Sequence, residues 1–509
     1  MIRTHIMAAL LAGSALAFAA PAFAQETQPP SQETPDSSDA TADATIAQTK
    51  AVDDAQAKIE LLQAQVEALQ ESIAQIQASM TKVTPSWKGA PEFADKDAGF
   101  TFKPKGFMQF DAGYVGFPNG DELRGTVGGL NYGNLGFNTR ARRIVFGAEG
   151  SLPGGFKYKA EFNLAQGTVD YEDILLSYDF KNSPLTVTVG NFYPYSSLET
   201  VTSSRLGSML ERASFTDAFN YNRRLGVGLS LADRKADKYT LSVGLFSQPI
   251  NDSNFTRTGW EVAARGTYSP QFAGGLLHLG ASVHKRQNNR EALGAQYRSR
   301  PLTQITDQRF VDTGTIAAKG DTSVGLELGG VFKSFHFAAE AQKLWVNHAY
   351  DAADLLPLDP ESNDTPVGTR FNGNPSFAGG YAEVGFYLTG ESRGYKGGKW
   401  DRTKVLKPFD QGGIGAVQIN ARLDYLDLSD RVATGTFTAP FYVNGGKQLG
   451  YQASVIWNPM DYLRFMAQVG RTDITGGPRA SAIDPTSTDP VNQRKYHSTS
   501  AAVRAQLEF

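Results

Sequence analysis

Three arginines fall within four residues at Arg140, Arg142 and Arg143, and two more stand side by side at Arg223 and Arg224. Lys157, Lys159, Arg265, Arg422 and Arg464 lie on the polar side of stretches that alternate polar with apolar residues. Guanidinium and ammonium groups fixed around an aqueous path select ions by sign and favour anions. Acids share the same faces at Glu161, Glu261, Asp424 and Glu508. Such a mixture gives either a field across a lumen or ion pairs that fasten its walls. Arg142 has the parity of Ile144 and Phe146, which places it at a membrane interface. The expected chemistry is electrostatic, with no covalent step. G-x-S-x-G, H-E-x-x-H and the nucleotide-binding fingerprints are missing. The six histidines show no metal spacing and there is no cysteine. No cofactor, metal or nucleic acid is expected as a partner.

What must position these charges is a set of strands. From Gly99 onward the polarity period is two. FKYKAEFNL sets Phe156, Tyr158, Ala160, Phe162 and Leu164 against Lys157, Lys159, Glu161 and Asn163. AVQINARLDY sets Val417, Ile419, Ala421, Leu423 and Tyr425 against Gln418, Asn420, Arg422 and Asp424. Such runs begin near residues 101, 138, 155, 170, 185, 222, 238, 258, 275, 322, 335, 378, 413, 447, 461 and 495, sixteen in all. Short connections such as LPGG (152–155) and NPMD (458–461) alternate with long ones near 193–221, 287–321, 349–377 and 472–494. Residues 390–411 break the rule by being long where a short turn is due. An even number of antiparallel strands with short turns at one end and long loops at the other marks a transmembrane barrel. A soluble sandwich or propeller also alternates, but these half-polar faces would make poor cores. Tyr114, Tyr178, Trp260, Tyr268, Trp457 and Tyr462 near run ends suit interfacial girdles. In a bilayer only a closed sheet leaves no backbone group unpaired, so the final run, SAAVRAQLEF, is expected to pair with the first. The fold class is all-β: a sixteen-stranded antiparallel transmembrane β-barrel preceded by an N-terminal coiled-coil helix.

Five segments are expected along the chain. Residues 1–24, with Arg3, an apolar run and Ala22-Phe23-Ala24, form a secretory signal peptide. Residues 25–45 are a disordered acidic tether. Residues 46–84 are a coiled-coil oligomerisation helix: Ile59, Leu62, Val66, Leu69, Ile73, Ile76 and Met80 recur at a 3-4 spacing, and Val52 and Ala55 extend it to about four heptads, ~40 Å long. The seam leaves dimer against trimer open. Residues 85–98 are a linker and residues 99–509 the barrel. Between Gln25 and Ala98 there are 13 acidic and 5 basic residues, against 39 and 43 from Gly99 onward. The barrel is mildly cationic behind an acidic leader.

Several stretches resemble the phosphate-selective porin O/P family of outer-membrane channels. These are RARRIVFGAEGSLPGGFKYKAEFNLAQGTVDYEDILLSYDF (140–180), LTVTVGNFYPYSSLETVTSSRLGSMLERASF (185–215) followed by RRLGVGL (223–229), GYAEVGFYLTGESRGY (380–395) and INARLDYLDLSD (419–430). The resemblance implies a homotrimer of sixteen-stranded pores in the outer membrane of a Gram-negative-type bacterium. It also implies small anionic solutes and a terminal aromatic, Phe509, read by the barrel-assembly machinery. The leader helix is then periplasmic. Where members of the family carry a lysine after the motif's glycine, this chain reads Gly190-Asn191-Phe192-Tyr193, which weakens an expectation of phosphate preference.

The expected solute path runs past Arg140, Arg143, Lys157, Lys159, Arg223, Arg224, Arg265, Arg422 and Arg464. The connection from Tyr193 to Asn222 is the candidate inward loop, because Leu206, Met209, Leu210, Phe215 and Phe219 need something to pack on. Tyr193, Arg205, Glu211 and Arg212 are its expected constriction residues. The leading expectation is passive diffusion of small, anionic, phosphate- or polyphosphate-like solutes. The alternatives are a non-selective channel, a barrel enzyme or an envelope-tethering scaffold.

Overall fold

The computed structural model describes residues 40–82, 86–87, 89–95, 97–118, 126–127, 130–131, 134–250, 259–351 and 365–509. The expected signal peptide, most of the expected tether and the acid-rich stretch 352–364 lie outside these residues.

Ala40–Lys82 form one helix, α1. It starts earlier than residue 46 because ATADAT, half alanine, continues the helix without a breaker. Its 3-4 seam is open: Val52, Ile59, Leu62, Val66, Leu69 and Ile73 are all exposed. No described helix is long and apolar enough to cross a membrane; crossing is done by strands.

Sixteen strands form the barrel: β1 Phe100–Val115, β2 Gly136–Leu152, β3 Phe156–Asn163, β4 Asp170–Asp179, β5 Leu185–Phe192, β6 Arg224–Ala232, β7 Tyr239–Phe246 and β8 Trp260–Tyr268, then β9 Gly275–Gln287, β10 Val311–Phe332, β11 Phe335–Ala349, β12 Ser376–Tyr387, β13 Ala416–Arg431, β14 Tyr442–Met460, β15 Leu463–Thr475 and β16 Lys495–Glu508. Each pairs antiparallel with the next, and β16 pairs with β1 through Arg504↔Asp111 and Glu508↔Phe107. The seam ends in a reciprocal pair of backbone bonds between Gly106 and Phe509, both 3.0 Å. Closure satisfies the ladder at every strand, as hydrocarbon requires. Fifteen of the sixteen expected starts fall within five residues of the observed ones. The exception is β10, which begins at Val311 and not near 322, because its first turns pair with a hairpin strand, Gly294–Ser299, beyond the barrel wall.

Burial is inverted relative to a water-soluble protein. On β16, Val503 and Leu507 are 54% and 46% exposed, whereas Arg504 and Gln506 are 2% and 1%. The apolar side faces outward around the wall and the polar side fills the interior. Tyr114, Trp260, Tyr268 and Trp457 are among the outward rings.

Among the described residues, three connections fold inward. Residues 193–223 carry two short helices, α2 Leu198–Val201 and α3 Ser214–Phe219. The Ser197 hydroxyl caps α2 by accepting from the Thr200 N–H. Phe215 stacks on Tyr381 and Phe219 meets Tyr297 edge-on, and Met209, Leu210, Phe215 and Phe219 are buried. Residues 288–310 lie over that loop, with the Arg300 N–H donating to Asp217 at 3.0 Å. From the short-turn end, residues 388–415 enter as well. Their hairpin pairs Gly394–Lys396 with Lys399–Asp401. Its tip, Gly397-Gly398, has positive φ at both positions, which a two-residue reversal of this kind requires. A Cβ on Gly398 would meet the Thr267 hydroxyl at 2.8 Å, so the hairpin lies hard against the wall. This accounts for the connection that broke the short-turn rule.

Candidate functional site: a constriction between two chambers

Two β-bulges set the charge of the interior. On β2, pairing with β1 passes from Gln109↔Arg143 directly to Phe110↔Ala141, leaving Arg142 as the extra residue. Such a bulge aims two consecutive side chains the same way, so Arg142 and Arg143 both face the lumen. The expectation that Arg142 sits at the membrane interface is therefore corrected: strict parity fails where the strand gains a residue. On β4 the pairing with β3 passes from Ala160↔Ile174 to Phe162↔Tyr171. Glu161 thus faces both Glu172 and Asp173, and both turn inward to bind Arg223.

The inward loop is fastened to the far wall by charge-assisted bonds. Arg504 grips Asp111 at 2.6 and 2.7 Å, Glu211 at 2.8 Å and the Leu210 carbonyl at 2.6 Å. Arg142 holds Glu211 through two bonds, 2.8 and 3.0 Å. Arg422 binds Glu383 and Glu199 at 2.6 and 2.7 Å. The Glu211 carboxyl is pushed up by burial, but the guanidinium of Arg142, then that of Arg504, pull it further down, to well below the usual carboxylate range. It is ionised throughout the physiological range.

Two water-accessible chambers lie along the wall of β1–β5. The one toward the long loops has about 170 Å³. The one toward the short turns has about 580 Å³ and is bordered by Thr202, Ser203 and Ser204 of the inward loop and by Lys399 of the inward hairpin. Arg142, Arg143, Tyr193, Arg212 and Asn222 border both, so they form the ring where the chambers meet. The ring holds three guanidiniums, a phenol and an amide, and no carboxylate. Tyr193 is held between cations, with Arg223 4.1 Å and Arg212 5.2 Å from its ring centre. Burial raises the phenol pKa, but Arg223 and Arg212 outweigh it and leave the pKa lowered.

The sequence profile described as "Phosphate-selective porin O and P" matches residues 96–509. A Caulobacter vibrioides protein described as uncharacterised is 37% identical over 83% of this chain and 77% of its own length. This chain belongs to the phosphate-selective porin O and P family. Porin O of Pseudomonas aeruginosa is 25% identical over 75% of this chain and 84% of that one. Among solved structures, the outer membrane channel DcaP of Acinetobacter baumannii aligns with a TM-score of 0.43 at 14% identity, covering 81% of this chain and 98% of that one. The anion-selective porin from Comamonas acidovorans aligns at 0.43 and 9%, covering 81% and 100%.

The barrel of this porin divides the expected path residues into two groups. Arg143, Lys159 and Arg223 border the larger chamber, as do Tyr193, Arg205 and Arg212. The others act as fasteners. Arg140 bonds the Gln304 carbonyl, Gln166 and Asp307. Lys157 pairs with Asp179 at 2.5 Å, and Arg224 with Glu261 at 2.9 Å. Arg265 clamps Glu327 and the Gly398 carbonyl at the inward hairpin, the latter at 2.8 Å. Arg464 donates to the carbonyls of Arg205 and Gly207. Within the larger chamber, Lys159 and Arg223 are also paired, with Asp173 at 2.6 and 2.5 Å. Arg205 pairs with Glu508 at 3.1 Å. Sequence reasoning misplaced Arg142 and missed Arg504 and Lys399. Adjacent like charges inside an alternating run, Arg142-Arg143 and Glu172-Asp173, were the available signal for the bulges.

Proposed function

We propose that this porin passes small anionic solutes by diffusion through the outer membrane, selected at the ring of Arg142, Arg143, Tyr193, Arg212 and Asn222. Its family and fold are those of an outer-membrane channel and not of a catalyst. The carrying observation is the charge of that ring. Arg142 is neutralised by Glu211, and Arg212 donates to the Tyr193 hydroxyl and the carbonyls of Glu199, Thr200 and Thr202. Arg143 keeps a net charge: its hydrogen bond goes to the neutral amide of Gln109, at 2.8 Å. The test is the reversal potential of single channels in a KCl gradient, expected to report anion preference; clear cation preference would reject the reading. The dense ion pairing favours a second reading, a weakly selective general channel, for which the reversal potential stays near zero.

In this reading the long loops face outward, α1 lies in the periplasm and three copies assemble, with the seam of α1 buried between helices and Phe509 presented to the assembly machinery. Deleting residues 46–84 is expected to lower the oligomer's resistance to dissociation in detergent while leaving the conductance per pore unchanged.

Lys399 adds a pH dependence. Its ammonium borders the larger chamber and forms no hydrogen bond or ion pair among the described residues. Desolvation lowers its pKa, and the neighbouring charge of Lys159 lowers it further. A base with a lowered pKa loses its charge earlier as pH rises. Anion preference is therefore expected to weaken on the acid side of the ordinary lysine range, and Lys399→Met to remove that step. Reversal potentials measured from neutral to alkaline pH check this.

A further inference from the structure

The larger chamber is poorly suited to a bare inorganic anion. Beside seven basic side chains it presents five carboxylates: Glu161, Asp170, Glu172, Asp173 and Asp401. A bare oxyanion mainly accepts hydrogen bonds, hydrogen phosphate having a single hydroxyl to donate, and each carboxylate repels its charge. A hydroxyl group both donates and accepts, so it can engage both halves of such a lining. Spare groups of both kinds are present. Asp170 is exposed to the chamber, and among the described residues its carboxylate has no hydrogen bond or ion pair. The same holds for the Ser204 hydroxyl and the Lys399 ammonium. A volume of about 580 Å³ lies within the ~300–1,000 Å³ of pockets that enclose organic molecules.

We infer that the solute held in this chamber is a hydroxylated organic anion of monosaccharide size, a polyol bearing one phosphate or carboxylate group. The inference rests on the anion reading above. The anionic group lodges at Arg143, whose hydrogen bond goes to the neutral amide of Gln109, and the hydroxyls reach Asp170 on one wall and Ser204 and Lys399 on the other.

The experiment measures block of the chloride current through the full-length porin in planar bilayers. The probes are glucose 6-phosphate, gluconate, inorganic phosphate and glucose. Glucose 6-phosphate or gluconate is expected to half-block at about tenfold lower concentration than phosphate or glucose. Which of the two is stronger tells phosphate from carboxylate as the anionic group. Asp170→Ala separates the classes by sign. Losing an acceptor is expected to raise the half-blocking concentration of the hydroxylated anions roughly fivefold, while losing a negative charge lowers or leaves unchanged that of phosphate. Ser204→Ala, which changes no charge, is expected to weaken block by the hydroxylated anions and leave phosphate block unchanged. Phosphate blocking as strongly as glucose 6-phosphate, or Asp170→Ala tightening both, would overturn the inference. The reversal potential of the same channels reports separately on anion preference, so loss of the underlying reading is distinguishable from loss of this one.

Discussion

Replacing Arg143 with glutamate is expected to reverse the sign of the reversal potential in a salt gradient. The substitution changes the ring by two charges at the point where the chambers meet. A unit charge 4 Å from a passing ion is worth between about 1 kcal/mol in bulk water and about 4 kcal/mol near a protein surface, enough to move the ion ratio roughly tenfold or more. The fold should tolerate a carboxylate here, because the guanidiniums of Arg142, Arg504 and Arg212 all lie close enough to act on this position. Arg143→Lys keeps the charge and is expected to keep the sign. If Arg143→Glu leaves the potential unchanged, selection does not occur at this ring.

Glu211→Ala should have the largest structural effect. Glu211 is the carboxylate shared by Arg142 and Arg504, and its removal leaves Arg142 without its ion-pair partner while Arg504 keeps only Asp111. Breaking a buried pair from one side costs roughly 3–5 kcal/mol. The barrel, closed by its own ladder, should persist while the inward loop loosens. Open-channel noise and protease cleavage within residues 193–223 are the measurements, and a quiet, resistant variant would contradict the fastening role. The same pairing sets the acid limit. A carboxylate whose pKa is lowered on folding contributes stability that is complete above its unfolded pKa and is lost as pH falls through the lowered value. Because the Glu211 pKa lies well below the usual range, the loop should stay docked through mildly acidic conditions that protonate ordinary carboxylates.

The strands were legible because their period of two is imposed by lipid on one side and water on the other, a constraint written into every consecutive pair of residues. The same constraint misled at Arg142, where one added residue shifts parity without altering composition. The inward loop could be read from hydrophobic side chains with no other place to go, such as Phe215 and Phe219. The division of arginines into those that border a chamber and those bound into the wall could not. Whether Arg265 or Arg143 meets a carboxylate depends on which strand is its neighbour and at what register, and Glu327 is 62 positions from Arg265. Lys399 was hidden for a related reason. It lies in an aperiodic connection whose inward course is fixed by contacts with Arg265, Thr202 and Asp237.

The bulge at Arg142 also bears on how such pores diverge. Loss of that one codon would rejoin Ala141 to Arg143 in regular pairing with Phe110 and Gln109, removing a cation while every flanking side chain keeps its facing. A single-triplet deletion or insertion at this spot is thus a viable heritable step in permeability. Where the pairing is regular, the same lesion would turn the oily and wet faces inside out.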